Sequence, residues 1–164
     1  MKVTLATLEE QTGLTALDHL ERSVRIPVVD GPQAQGDLIV IPLAMIAASV
    51  RIPPTAVAWE WIDVPVEGVD LLRGEAGGNT HTLVAEPYTC RWTRRLHDSE
   101  RLAIGVFETT APAYLLHPEH GATGCAPGTY VIRSAARAGR PAGPPGRRLI
   151  RQGQAGNSGR VPVE

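Results

Sequence analysis

Three histidines, His81, His117 and His120, are the residues whose type and spacing could do chemistry. His117 and His120 lie three positions apart across Pro118-Glu119, where a strand that ends in a turn can aim both imidazoles to one side. Neutral imidazoles with a carboxylate form a ligand set that suits zinc, iron or manganese. The sequence therefore offers one candidate site for a divalent metal, with five candidate ligands: His81, His117, His120, Glu86 and Glu119.

The same histidines have a second interpretation that involves no metal. A His-x-x-His spacing is frequent by chance, and nothing in the sequence alone brings His81 near the other two. In this interpretation His117 ends a strand with hydrogen bonds to the backbone, His120 is solvated in a turn, and His81 points outward beside Thr80 and Thr82. Both interpretations stay open at this point.

Short apolar segments separated by glycine and proline must position these side chains. About eight segments recur at intervals of roughly 8–12 residues, which is typical of an all-β barrel or sandwich. We therefore predict a mainly β fold, a single small barrel or sandwich of jelly-roll-like form. The segments that favour strands are 23–28, 38–42, 57–64, 68–74, 80–85, 89–93, 102–108, 113–117 and 128–133.

Two segments favour helices. Leucines at spacings near three over residues 5–20 predict a short amphipathic N-terminal helix that breaks near Gly13. Residues 43–50 are rich in alanine, leucine and methionine, which favours a second short helix. The expected organisation is an N-terminal helical segment over 1–22, a β domain over 23–133 and a tail over 134–164.

The charge distribution separates the tail from the rest of the chain. Residues 1–132 carry 9 basic and 16 acidic side chains, a net charge of −7, whereas residues 133–164 carry 7 arginines and one glutamate, a net charge of +6. The tail is rich in Arg, Gly and Pro without apolar periodicity, so we expect it to be disordered. A frameshifted terminus and a basic arm that binds nucleic acid are the two alternatives for it.

Composition limits the class of protein. An acidic body argues against a nucleic-acid-binding face outside the tail, because phosphates are neutralised by clustered Lys and Arg. Cys90 and Cys125 are too few for a disulfide framework and lack zinc-ligand spacing, although a single disulfide between strands remains an alternative. The sequence lacks a signal-peptide pattern and an apolar run long enough to span a bilayer, so we expect a cytoplasmic protein without membrane contact.

Two stretches resemble known families. The segment Gly74 to Glu86 is similar to the first cupin motif, and this resemblance implies that His81 and Glu86 are metal ligands, with Asn79 in place of a further histidine. The second cupin motif is matched only faintly, and Val131 stands about where its histidine belongs. Two of the four cupin ligands are therefore missing.

The other resemblance covers residues 64–133. It is to an uncharacterised family of small bacterial proteins, frequent in actinobacteria, with a Gly-rich segment before a histidine, a His-Pro-Glu-His-Gly segment and then Pro-Gly-x-Tyr-x-Val-x-Arg. These motifs stand at Gly77 to His81, His117 to Gly121 and Pro127 to Arg133. The resemblance implies kinship and no activity.

The sequence supports two functional hypotheses. The first is a small non-catalytic accessory or binding protein whose partner is another protein or a small molecule. The alternative is a cupin-like metal-binding enzyme or sensor that uses the histidines and a divalent ion (Zn, Fe or Mn) as cofactor.

Overall fold

The computed structural model describes residues 3–16, 25–53, 60–73 and 79–135. Strands dominate this part of the chain, as predicted. In chain order the elements are α1 Leu5–Thr12, β1 Val28–Val29, β2 Gln33–Gln35, β3 Leu38–Pro42, α2 Leu43–Ile46, β4 Val50–Arg51, β5 Ile62–Asp63, β6 Val69–Arg73, β7 Thr80–Ala85, β8 Cys90–Thr93, β9 His97–Asp98, β10 Ala103–Thr109, β11 Ala113–His117, β12 Gly121–Cys125 and β13 Gly128–Ser134. The predicted tail falls outside the described residues except for its first two positions, which extend and follow β13.

Two main sheets pack face to face. The first sheet has the strand order β1-β12-β11-β7-β6, and the second has the order β2-β3-β13-β10-β8-β5. Every pairing is antiparallel except that of β1 with β12. Both sheets keep edge strands, so the fold is a sandwich and not a closed barrel. The strands β4 and β9 form a separate two-stranded ribbon.

The core lies between the two sheets. Leu83 and Leu115 come from the first sheet and pack with Phe107 and Ile132 of the second, all at most 1 % exposed. Phe107 stacks on Tyr130 with ring centroids 5.1 Å apart. Burying aliphatic and aromatic side chains of this size gives roughly 1.5–3 kcal/mol each, which makes this layer the main source of stability.

The helix α1 covers the outer face of the first sheet. Thr4 caps its start by accepting a hydrogen bond from the Thr7 N–H at 3.3 Å, and Gly13 ends it in the left-handed region with φ of +71°. Glycine adopts that conformation without strain, so the helix stops where the sequence predicted. Its buried leucines pack against Val84 and Leu116, so the central strands β7 and β11 of the first sheet are buried on both faces.

A buried ion pair fixes the end of β13 to β9. Arg133 and Asp98 are joined at 3.0 Å, and their side chains are 9 % and 4 % exposed. Burial alone would raise the pKa of Asp98, but three backbone N–H donors and Arg133 outweigh it and hold that pKa below its ordinary value. Removing one member of such a pair leaves an uncompensated buried charge.

The two cysteines lie in the core as free thiols. Cys90 and Cys125 are both about 2 % exposed or less, and burial raises the pKa of each to about 12. Protonated thiols in an apolar layer behave as small hydrophobic side chains. The sequence had left a disulfide open, and the structure has none between them.

Four short strands were absent from our prediction. The strands β2, β4, β9 and β12 lack the apolar alternation that marks strands in sequence. β12 has the composition Gly-Ala-Thr-Gly-Cys, and β2 is Gln-Ala-Gln. Ladder hydrogen bonds to the better-marked β11 and β3 stabilise β12 and β2, whereas β4 and β9 pair with each other. The pairing of β12 with β11 places His120 at one end of the first sheet, and the Gln35 side chain reaches that end from the second sheet. Neither α1 nor α2, the helices of the described part, has the length and apolarity that crossing a bilayer requires.

Candidate functional site

The antiparallel pairing of β7 with β11 places His81 beside His117. Leu116 pairs with Thr82, so the next positions along the ladder are His117 and His81, and opposed residues share a face. His120 follows in the turn that joins β11 to β12. Three near-neighbour imidazoles, which we call the imidazole cluster, thus come from a strand start, a strand end and a turn.

The turn that carries His120 has a specific local cause. Proline presets the φ of a first turn position, and Gly121 closes the three-residue loop with φ of +75°. The strands pair again at once, with His117 opposite Gly121. The sequence Pro118-Glu119-His120-Gly121 therefore returns the chain and holds two polar side chains over the end of the sheet.

The imidazole rings lie close together, with interplanar angles of 36° for His81 and His117, 22° for His117 and His120 and 18° for His81 and His120. The ring centroids of His81 and His117 are 4.3 Å apart, those of His117 and His120 are 4.4 Å apart, and those of His81 and His120 are 6.1 Å apart. His81 and His117 are 4 % and 5 % exposed, whereas His120 and Glu119 are open to solvent. A small cavity of about 130 Å³ lies between them, and its other walls are Asp37, Leu72 and Asn79.

Gln35 determines which ring nitrogen of His81 carries the proton. The Gln35 side-chain amide nitrogen donates to the carbonyl oxygens of Leu115 at 3.3 Å and Gly121 at 3.1 Å, so its Oε1 must be an acceptor. That Oε1 lies 3.1 Å from Nδ1 of His81, which therefore donates its proton. The Nε2 atom of neutral His81 is left with an available lone pair.

His117 has the opposite arrangement. Its Nδ1 atom accepts hydrogen bonds from the backbone N–H groups of Glu119 at 3.1 Å and His120 at 3.3 Å. The proton of neutral His117 must then be on Nε2, because an accepting nitrogen cannot be protonated. His117 thus shapes the turn through its side chain, as our metal-free interpretation expected of a strand-end histidine.

Both buried imidazoles favour the neutral form. Burial, followed by the nearby imidazoles of His117 and His120, lowers the pKa of His81 from 6.5 to about 4, although Asp37 acts in the other direction. Burial and His120 also lower the pKa of His117, against a hydrogen bond to the backbone of Asn79 and the charge of Glu119. A neutral imidazole is the form that binds metal, so His81 needs no deprotonation at neutral pH.

Glu119 and His120 provide the exposed side of the cluster. Potential ligand atoms of His117, Glu119 and His120 lie within 4.8 Å of one another, and His81 is not in that set. The Asn79 side-chain amide donates to Glu119 Oε1 at 3.2 Å and so orients the carboxylate. These distances, and the 6.1 Å between the ring centroids of His81 and His120, exceed those within a formed coordination sphere, so closure on an ion requires side-chain movements.

Gly36 makes room for His120. A Cβ atom at this position would stand 2.5 Å from Nε2 of His120, and the backbone φ is +56°, where side chains are strained. Two features thus require glycine here. Neither Gly36 nor Gln35 was predicted from the sequence as part of the site, because a lone glycine or glutamine carries no signal before its partners are known.

Glu86 does not join the cluster. It follows the last residue of β7, whereas His81 is near the first, and five residues of extended chain span about 17 Å. Glu86 lines a different cavity, beside α1. The structure therefore separates the two residues that the cupin resemblance pairs, and it brings together four of the five sequence candidates: His81, His117, Glu119 and His120.

Fold and site together define a small β-sandwich protein with a histidine-lined pocket at one end of a sheet. Comparison with known families then identifies the chain. The profile described as Domain of unknown function (DUF8820) matches residues 34–135, and the chain belongs to this family. The matched region contains the whole imidazole cluster and Gln35. This match agrees with the resemblance to an uncharacterised family that the sequence motifs indicated. No curated protein and no solved structure matches the chain.

Proposed function

We propose that the protein is a small non-catalytic binding protein whose imidazole cluster holds one divalent transition-metal ion, with zinc, iron and manganese as the candidates. His81 through Nε2, His120 and Glu119 are the proposed ligands. One observation carries the proposal: Gln35 accepts the Nδ1 proton of His81 and so leaves the Nε2 lone pair available. A carbonyl partner on the second ring nitrogen is the usual support of a metal-bound histidine.

His117 has a positioning role in this proposal. Coordination through its Nε2 would require a proton on Nδ1, where two backbone N–H groups already donate. Keeping those two bonds holds Glu119 and His120 in the turn. His117 therefore acts through the turn that it stabilises.

The size of the cavity favours binding over catalysis. About 130 Å³ accommodates an ion with a few waters, whereas pockets for organic ligands measure roughly 300–1,000 Å³. The nitrogen and oxygen ligand set matches borderline divalent ions and lacks the thiolates that softer ions prefer. The cupin-like enzyme remains the alternative function, and it would need space for a substrate beside the metal.

A metal titration tests the proposal. The purified protein is stripped with a chelator and titrated with Zn²⁺ and with Co²⁺, whose visible absorption reports coordination by nitrogen and oxygen. We expect one ion per chain, and we expect His81→Asn and His120→Asn each to weaken binding by at least about ten-fold, the scale seen when metal-site contacts are lost.

The matched control is His97→Asn, because His97 is an exposed imidazole on β9, away from the cluster. This variant should bind the ion as the unaltered protein does. Absence of a stoichiometric ion, or equal losses in all three variants, would refute the metal proposal.

A further inference from the structure

A second and larger cavity lies on the outer face of the first sheet, between α1 and the ends of β7 and β11. Its volume is about 450 Å³, which is within the range of small-molecule sites. Apolar side chains form most of its wall, including Leu8, Val66, Val84 and Pro112. We call it the helix cavity.

One wall of the helix cavity holds a polar group without a partner. The Tyr114 side chain is 6 % exposed, and its hydroxyl has no hydrogen-bond partner among the residues that the structure describes. Burial raises the pKa of Tyr114, so the group is a neutral phenol. The hydroxyl oxygen is not among the fully enclosed polar atoms, so it opens onto the cavity, where a ligand can pair with it.

The charge at the rim selects the kind of ligand. Glu86 is the one charged residue that lines the cavity in the described part of the chain, and it is exposed. The side-chain amide of Gln11 donates to the Ala85 carbonyl at 3.2 Å, which ties α1 to the strand end beside Glu86. A carboxylate ligand would meet a like charge here, whereas an ammonium group would be paired.

We propose that the helix cavity binds a small apolar molecule that ends in a protonated amine. The apolar body lies against the apolar lining of the cavity, which includes Val66 and Pro112, and the ammonium group lies at Glu86 and donates to the Tyr114 hydroxyl oxygen. This site is distinct from the imidazole cluster, because it lies at the other end of β7. The proposal stands whether or not the cluster binds metal.

A matched pair of probes tests the proposal: n-octylamine and n-octanoate have the same chain length and opposite charges. NMR of protein labelled at backbone amides and methyl groups follows each titration. We expect octylamine to give saturable shifts at Leu8 and Val84, and octanoate to give none over the same concentrations. Tyr114→Phe should weaken octylamine binding about five-fold, the loss of one net hydrogen bond.

The control is Tyr88→Phe, which removes a hydroxyl that is 93 % exposed and outside this cavity. That variant should bind octylamine unchanged, whereas Glu86→Gln should weaken binding. The proposal is overturned if octylamine gives no saturable shift, if octanoate binds equally well, or if Tyr114→Phe and Glu86→Gln both leave the affinity unchanged.

Discussion

Acid should destabilise the fold through His81. Its pKa is about 4 in the folded protein and 6.5 when exposed, so the unfolded chain binds a proton in a pH range where the folded protein does not. Each unit of that difference is worth about 1.4 kcal/mol. Stability is therefore complete above about pH 6.5 and falls as the pH is lowered towards 4, with a total loss of about 3 kcal/mol.

The measurement is urea unfolding of the metal-free protein, followed by tryptophan fluorescence, at about pH 7.5 and about pH 5. Between these values His81 alone should remove about 2 kcal/mol of the free energy of unfolding. His81→Asn keeps an N–H donor for Gln35 and cannot titrate, so its stability should fall less over the same interval. His117, whose pKa is also lowered, contributes to the remaining fall.

The interval between about pH 7.5 and about pH 5 separates the loss of stability caused by His81 from any loss caused by the carboxylates. The pKa of Asp98 is held below its ordinary value of 3.8, so the stability it provides is present above that value and is lost only at lower pH. His97→Asn is the control for loss of an exposed imidazole and should keep the full pH dependence. The reasoning fails if His81→Asn loses as much stability as the unaltered protein between the two pH values.

Two further predictions concern the residues that hold the cluster. Gln35→Leu removes the acceptor that fixes the His81 tautomer, so ¹⁵N NMR of the metal-free protein should show protonation shared between both ring nitrogens, and metal affinity should fall about 10–100-fold. Gln33→Leu, on the same strand, should leave the tautomer unchanged. Gly36→Ala should displace the His120 ring and lower the free energy of unfolding by more than about 1 kcal/mol, because it combines a clash with an unfavourable φ. An unshifted His120 signal in that variant would contradict the clash.

The sequence predicted well those elements whose apolar residues follow a clear pattern. β3 occupies residues 38–42 as expected, since Leu38 and Val40 are buried and Pro42 ends the run. The helix α1 ends at Gly13, near which the sequence predicted a break. In these segments local preference and tertiary packing agree, which is why a pattern is sufficient.

Elements stabilised by their neighbours were not predictable in the same way. β12 has almost no apolar signal, yet it pairs along its full length with β11. The predicted strand over 57–64 is reduced to β5, Ile62–Asp63, in the part of it that the structure describes. Pairing energy comes from the partner strand, so it leaves no periodicity in the segment itself.

The site shows the same division. A sequence can nominate His81, His117 and His120 as ligand types, but only the register of β7 against β11 makes the first two neighbours. A shift of one residue would turn His81 to the opposite face. The role of Gln35 is harder still to predict from the sequence. Its side chain bonds two backbone carbonyls and one imidazole, and these three groups come from three different strands.

β7 connects the two proposed sites and also keeps them independent. Its residues from His81 to Ala85 are all buried, one end meets the imidazole cluster and the other meets the helix cavity. Effects at sites more than about 7–10 Å apart without shared partners usually add, and the two ends of this strand are about 17 Å apart. Metal at the cluster should therefore leave amine affinity at the helix cavity unchanged, and a measured coupling would mean that β7 moves as a unit between two positions.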